Sequence, residues 1–202
     1  MGCAVSRRNQ LPQNMDSKVA ARMTLEEFLA QPGATYHDFH ELWDGEVVEV
    51  SPPSEQYVWF QDQLVDSLAA RLPKSEFLVR SEFYLTLPGE ARWIDVGAVR
   101  RSRMGHSKQP FFGSPELVVE VLSESNTALD LDRLRAKCFE NGCIQFWVVN
   151  LELRTITVYE QERRVRIYSE NETLSVAPLR AGSECDPTGD DLITVRSLFD
   201  SN

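Results

Sequence analysis

The sequence predicts an α/β fold with a central mixed β-sheet flanked by helices. Three observations carry this. Short runs rich in β-branched residues, such as Leu117–Val121, alternate with stretches whose apolar residues recur at helical spacing. Two acids, Asp95 and Glu120, each interrupt such an apolar run. Hydrophobic residues make up 42% of the 202, enough for one ordinary core.

The elements follow in order. Thr24 can cap a helix over 24–30 whose third position is Glu27, and Pro32-Gly33 stops it. Asp44-Gly45 predicts a two-residue hairpin between strands at 39–43 and 46–51. Ser54 precedes a helix over about 55–72, with Val58, Phe60, Leu64, Leu68 and Leu72 at helical spacing. Strands are expected near 76–80 and 82–87, then, after Pro88-Gly89, at 94–99 and 116–123. A second helix runs over about 127–141 and ends at Asn141-Gly142. Strands at 144–150 and 154–160 follow, then a hairpin from 163–168 and 173–177, and a short strand or helical turn at 192–199. Trp43, Trp93 and Trp147 read as core residues. Nothing marks a second domain, so 23–202 reads as one unit and 1–22 as an N-terminal extension without folded structure.

The net charge is -10 and the pI about 4.8. Residues 1–22 hold Arg7, Arg8, Lys18 and Arg22 against Asp16 alone, so the remainder is more acidic still. That argues against tight, non-specific binding to nucleic acid. One stretch is an exception: between Asp95 and Glu116 there is no acid, while Arg100, Arg101, Arg103, His106 and Lys108 are present. It reads first as a solvated loop, with phosphate contact as the rival. Cys3, Cys138, Cys143 and Cys185 lack the C-x-x-C spacing of a zinc site. No apolar run is long enough to span a bilayer. Reduced thiols and a cytoplasmic location are the expectation. Met1-Gly2-Cys3 formally fits a lipidation pattern, which would make the chain a membrane-tethered adaptor.

An acid in a buried strand is costly unless paired, hydrogen-bonded or bound to a cation. Glu120, inside Val118-Val119-Glu120-Val121-Leu122, has apolar neighbours on both faces. Mg2+ takes hard oxygen ligands and keeps several waters, so two or three carboxylates suffice. Asp95 and Glu120 supply two, and Glu46 of the hairpin a third.

At these residues a resemblance emerges. Phe39 to Ser54, the segment Arg92 to Val99, the block Leu117 to Ser125 and Gly142 to Asn150 resemble, in order and spacing, the Uma-two family of the PD-(D/E)XK nuclease superfamily. The resemblance covers about residues 23–165. It implies a restriction-endonuclease-like core and a Mg2+-dependent endonuclease, with Mn2+ as a substitute. It also implies that DNA is the nucleic-acid partner and that the chain can form a homodimer. Glu46, Asp95 and Glu120 match the family's metal-site acids. The family's lysine, fourteen residues after the glutamate, falls at Leu134. Lys137, one helical turn on, is the candidate replacement, its stem leaning back toward the N-terminus. Gln145 and Asn150 replace acids of the family pattern, and Gln56-Tyr57 stands where it has a histidine. Two readings follow: an endonuclease that is weak or inactive for want of the lysine, or a catalytically degenerate binding or scaffold protein on the same fold.

Overall fold

The computed structural model describes residues 22–31, 40–105, 110–123, 126–161, 164–181 and 189–200. Helix α1 (Leu25–Leu29) starts where its cap dictates: the Glu27 N–H donates to Thr24 Oγ1 and the Thr24 N–H to Glu27 Oε2, at 2.8 Å for the latter. Strands β1 (His40–Trp43) and β2 (Glu46–Glu49) form the expected hairpin. Its turn needs left-handed backbone at both central residues, and Asp44 (φ 48°) and Gly45 (φ 81°) supply it.

Helix α2 (Glu55–Ala69) has Ser54 at its N-cap, although that side chain makes no capping bond. β3 (Phe77–Leu87) and β4 (Glu90–Arg100) then form a long antiparallel hairpin. Short β5 (Phe111–Phe112) leads to β6 (Leu117–Val121), which is buried throughout. Helix α3 (Ala128–Glu140), capped by Thr127, crosses to β7 (Gln145–Asn150), parallel to β6. β8 (Thr155–Glu160) and β9 (Val165–Tyr168) extend the sheet antiparallel. β10 (Thr173–Ser175), α4 (Ala177–Ala181), β11 (Leu192–Thr194) and α5 (Arg196–Phe199) complete the chain, with β10 and β11 paired in a small second sheet.

The main sheet has nine strands and runs β2-β1-β4-β6-β7-β8-β9, with β3 on β4 and β5 on β3. It is mixed, as predicted. α2 covers one face with Phe60, Leu64 and Leu68, and the α4–α5 segment joins it through Leu179 and Leu198. α3 covers the other face with Leu134 and Cys138 against Phe146 and Val118. Among the described residues no helix is long and apolar enough to cross a membrane.

Four expectations are corrected. The strands expected at 76–80 and 82–87 are one strand, and β4 starts at Glu90 rather than 94. The hairpin pairs along both, interrupted only at Glu82, which has φ 47°. There the hairpin changes cores: Phe77 and Val96 pack under α2, whereas Phe83 and Ile94 pack under α3. The segments near 163–168 and 173–177 do not pair, because β9 takes β8 and β10 takes β11. The basic stretch, where described, is structural. Arg100 donates to the Leu179 and Arg180 carbonyls at 2.7 Å, Arg101 to that of Lys74 at 2.6 Å, and Arg103 pairs with Glu116 at 3.0 Å. His106 and Lys108 lie outside the described residues, as do Gly2, Cys3 and Cys185.

Candidate active site

β4 is forked on one edge. β1 pairs with it at Ala91 and β6 pairs with it over Val96–Ala98. Between those points no strand ladder runs, and carboxylates take over the backbone donors. Glu41 Oε1 accepts from the Trp93 N–H at 2.9 Å, and Asp95 Oδ2 accepts from the Val121 N–H at 2.5 Å. This is how a sheet tolerates acids at its centre: the donors that would lie orphaned in the fork are charge-assisted instead.

The register that pairs Val96 with Val119 sets Asp95 across from Glu120 one step further along. Both line a cavity of about 460 Å³ together with Glu41, Glu82, Arg92, Trp43, Trp93 and Tyr57. Asp95 Oδ1 accepts from Gln61 Nε2 of α2 at 2.8 Å. Glu120 is 7% exposed, and its Oε1 is buried without a hydrogen-bond partner.

Burial governs the electrostatics. Loss of solvent pushes the Asp95 carboxyl up to about 6 against the bond from the Val121 N–H, and Glu82 adds to the rise. Glu120 stands well above the ordinary carboxylate range, through burial first and then the neighbouring Asp95 charge. Burial also raises Glu41 and Glu82, offset in part by Arg92 and Gln61 respectively. Four acids thus share one poorly solvated space with one guanidinium, and a fifth, exposed Glu49, stands at its rim.

The structure brings Asp95 and Glu120 together and places the other two predicted residues elsewhere. Glu46 is exposed at the start of β2 and lines a neighbouring cavity with Arg22, Asp130 and Arg133. Lys137 does not point at the pair. Its Nζ lies 2.6 Å from Glu90 Oε1 and 3.2 Å from Asp44 Oδ1. Leu134 is 0% exposed in the α3-side core. Trp147 is core as expected, but Trp43 and Trp93 line the cavity wall.

Sequence reasoning missed Glu41, Gln61, Glu82 and Arg92. Gln61 carried a signal, a polar residue beside Phe60 and three before Leu64 on the buried side of α2. Glu41 and Arg92 look in sequence like the polar members of alternating strands.

Among the described residues no group of three His, Cys, Asp or Glu side chains stands ready to hold a metal ion. The donor chemistry nonetheless suits a hard cation at two carboxylates. Glu120 Oε1 is a buried oxygen with an unused lone pair, and Asp95 beside it is ordered by two donors.

The fold is a mixed α/β domain with a large central sheet. The chain belongs to the family described as "Uma2: Putative restriction endonuclease", whose model matches residues 25–188. It is similar in fold to a solved protein from Anabaena variabilis described as a putative nuclease. The TM-score is 0.72 at 18% identity, covering 88% of this chain and 97% of that one. No curated protein matches.

Proposed function

We propose that this chain hydrolyses phosphodiester bonds of nucleic acid, with DNA as the first substrate to test. The reaction depends on Mg2+ or Mn2+ held by Asp95 and Glu120. The observation that carries this reading is the buried Glu120 Oε1, partnerless beside an ordered Asp95 in an open cavity. A bound divalent cation would polarise a phosphoryl oxygen and ready a water for attack. The chain's own residues do the rest. The Val121 N–H and Gln61 fix the Asp95 carboxylate. Glu41 ties the wall of the fork to Trp43 and Trp93 through bonds of 2.5 and 2.9 Å. Phosphate is repelled by the five acids that line the cavity until cation binding removes part of their charge, which makes nucleic-acid binding conditional on the cation.

The test is thermal melting under Mg2+ and Mn2+ titration, with cleavage of supercoiled and single-stranded DNA in parallel. Wild type is expected to melt higher with cation, and Asp95→Ala to lose that shift together with at least 100-fold of the cleavage rate. A wild type without any cation shift sinks the metal site.

A second reading, a fold kept for binding rather than cleavage, draws on Leu134 in the core and on Lys137 engaged by Glu90. It predicts a cation shift without cleavage, and cleavage gained in Leu134→Lys.

A further inference from the structure

We infer that Arg92 is the phosphate-binding cation of this cavity. The inference rests on the cavity being a phosphodiester site. Its own support is separate from the acids.

Arg92 is 6% exposed and lines the cavity that holds Asp95 and Glu120. An arginine carries five N–H donors, and a buried one normally spends most of them. Among the described residues Arg92 donates none in a hydrogen bond. Its nearest carboxylate oxygens are Glu41 Oε2 at 3.7 Å and Glu90 Oε2 at 3.8 Å, close enough for attraction but too far for a bond. Glu41 and one oxygen of Glu90 are served by other groups, while Glu90 Oε2, which faces Arg92, has no hydrogen-bond donor. Glu41 accepts from Trp43 Nε1 and the Trp93 N–H, and Glu90 Oε1 accepts from Lys137 Nζ and the Asp44 N–H. The guanidinium therefore keeps its directional donors while its charge is held inside the cavity.

Its orientation is also set. The guanidinium carbon lies 4.0 Å from the centroid of the Trp43 ring, which supports one side of the group. A planar fork of N–H groups matches two non-bridging oxygens of a phosphate, a match that a lysine ammonium does not make. The same side chain also lines the adjoining cavity, where Arg22 and Arg133 stand among Asp44, Glu46, Glu90 and Asp130. Arg22 is paired with Asp44 there, so Arg92 is the cation that links the two cavities. No comparable group faces Asp95 from α3, where Leu134 is sealed in the core.

The experiment measures binding of a single-stranded phosphorothioate 12-mer in Mg2+, as a function of salt, for wild type, Arg92→Met and Arg92→Lys. Near-ultraviolet circular dichroism reports folding. Arg92→Met is expected to bind at least tenfold more weakly, with the slope of log Kd against log salt reduced by about one. Arg92→Lys should recover at least threefold of that loss without matching wild type. Arg92→Met that is folded and binds within twofold of wild type overturns the inference. If Arg92→Met does not fold, Arg92→Lys decides: binding within twofold of wild type overturns it, and a three- to tenfold loss supports it. A wild type that does not bind the oligonucleotide also overturns it. The two readings fail differently. Cleavage that needs Asp95 but is unchanged in kcat and KM by Arg92→Met ends the role of Arg92 and leaves hydrolysis standing. Binding that needs Arg92 with no cleavage and no cation shift does the reverse.

Discussion

Glu90 and Glu120 are both buried acids of one sheet, on β4 and its neighbour β6, and each keeps one carboxylate oxygen without a hydrogen-bond donor, but their surroundings differ in charge. Glu90, with its side chain 3% exposed, has the Lys137 ammonium at 2.6 Å, the Asp44 N–H at 3.1 Å and the Arg92 guanidinium at 3.8 Å. The Lys137 bond in turn holds Asp44 below its ordinary range. Glu120 has no ion pair with a described residue, faces Asp95 as a like charge, and leaves Oε1 without a donor. One cluster balances its charges and fastens β1, β4 and α3 together. The other accumulates charge that a proton or an incoming cation relieves. An acid set beside cations holds the fold, and an acid set beside another acid marks where a cation belongs.

The sharpest way to break this comparison is Lys137→Met. If the Glu90 cluster is structural, loss of the ammonium strands a buried carboxylate. It should then cost about 3 kcal/mol, at the low end for a buried pair because Lys137 is partly exposed. Urea unfolding gives the value, and the Mg2+ melting shift should persist. A loss below about 0.5 kcal/mol would put both clusters in one class.

The next effect is in pH. An Asp95 raised to about 6 binds its proton more tightly folded than unfolded. Stability in cation-free buffer should therefore be greatest below the ordinary 3.8 as far as this group decides. It should fall as pH rises through about 6, by roughly 2–3 kcal/mol in total. Glu120, Glu41 and Glu82, raised first by burial, act in the same direction. Mg2+ should restore more stability at pH 8 than at pH 5, read as melting temperature across the pH series with and without EDTA.

The smallest effect is the most diagnostic. Glu120→Gln removes a buried charge, so it should stabilise the cation-free protein by about 1 kcal/mol at pH 8 while abolishing the Mg2+ shift. A destabilised variant that keeps the cation shift would move Glu120 into the structural class.

How far the sequence reached depends on whether a feature is local. The Asp44-Gly45 turn, the Thr24 cap and Phe60, Leu64 and Leu68 of the α2 stripe depend on residues within a few positions and appear where expected, whereas Val58 of that stripe is exposed and the helix ends at Ala69, before Leu72. The acids were readable because a carboxylate amid Val118, Val119 and Val121 conflicts with its own strand. Lys137 shows the limit. Helical spacing specifies its face, but the partner that captures it, Glu90, is 47 residues away. Glu82 was taken for the first residue of a strand because no propensity announces a left-handed glutamate inside one.

The fold class and the family could be read along the chain, since apolar periodicity and the position of charges within it are local properties. Only the tertiary structure decided that β4 forks between β1 and β6. It alone set Arg92 on Trp43 facing the acids, and it alone turned Lys137 aside to Glu90. Those outcomes depend on which distant charges meet in a poorly solvated space, where a separation of a few ångströms decides between a bond and a vacancy for a ligand.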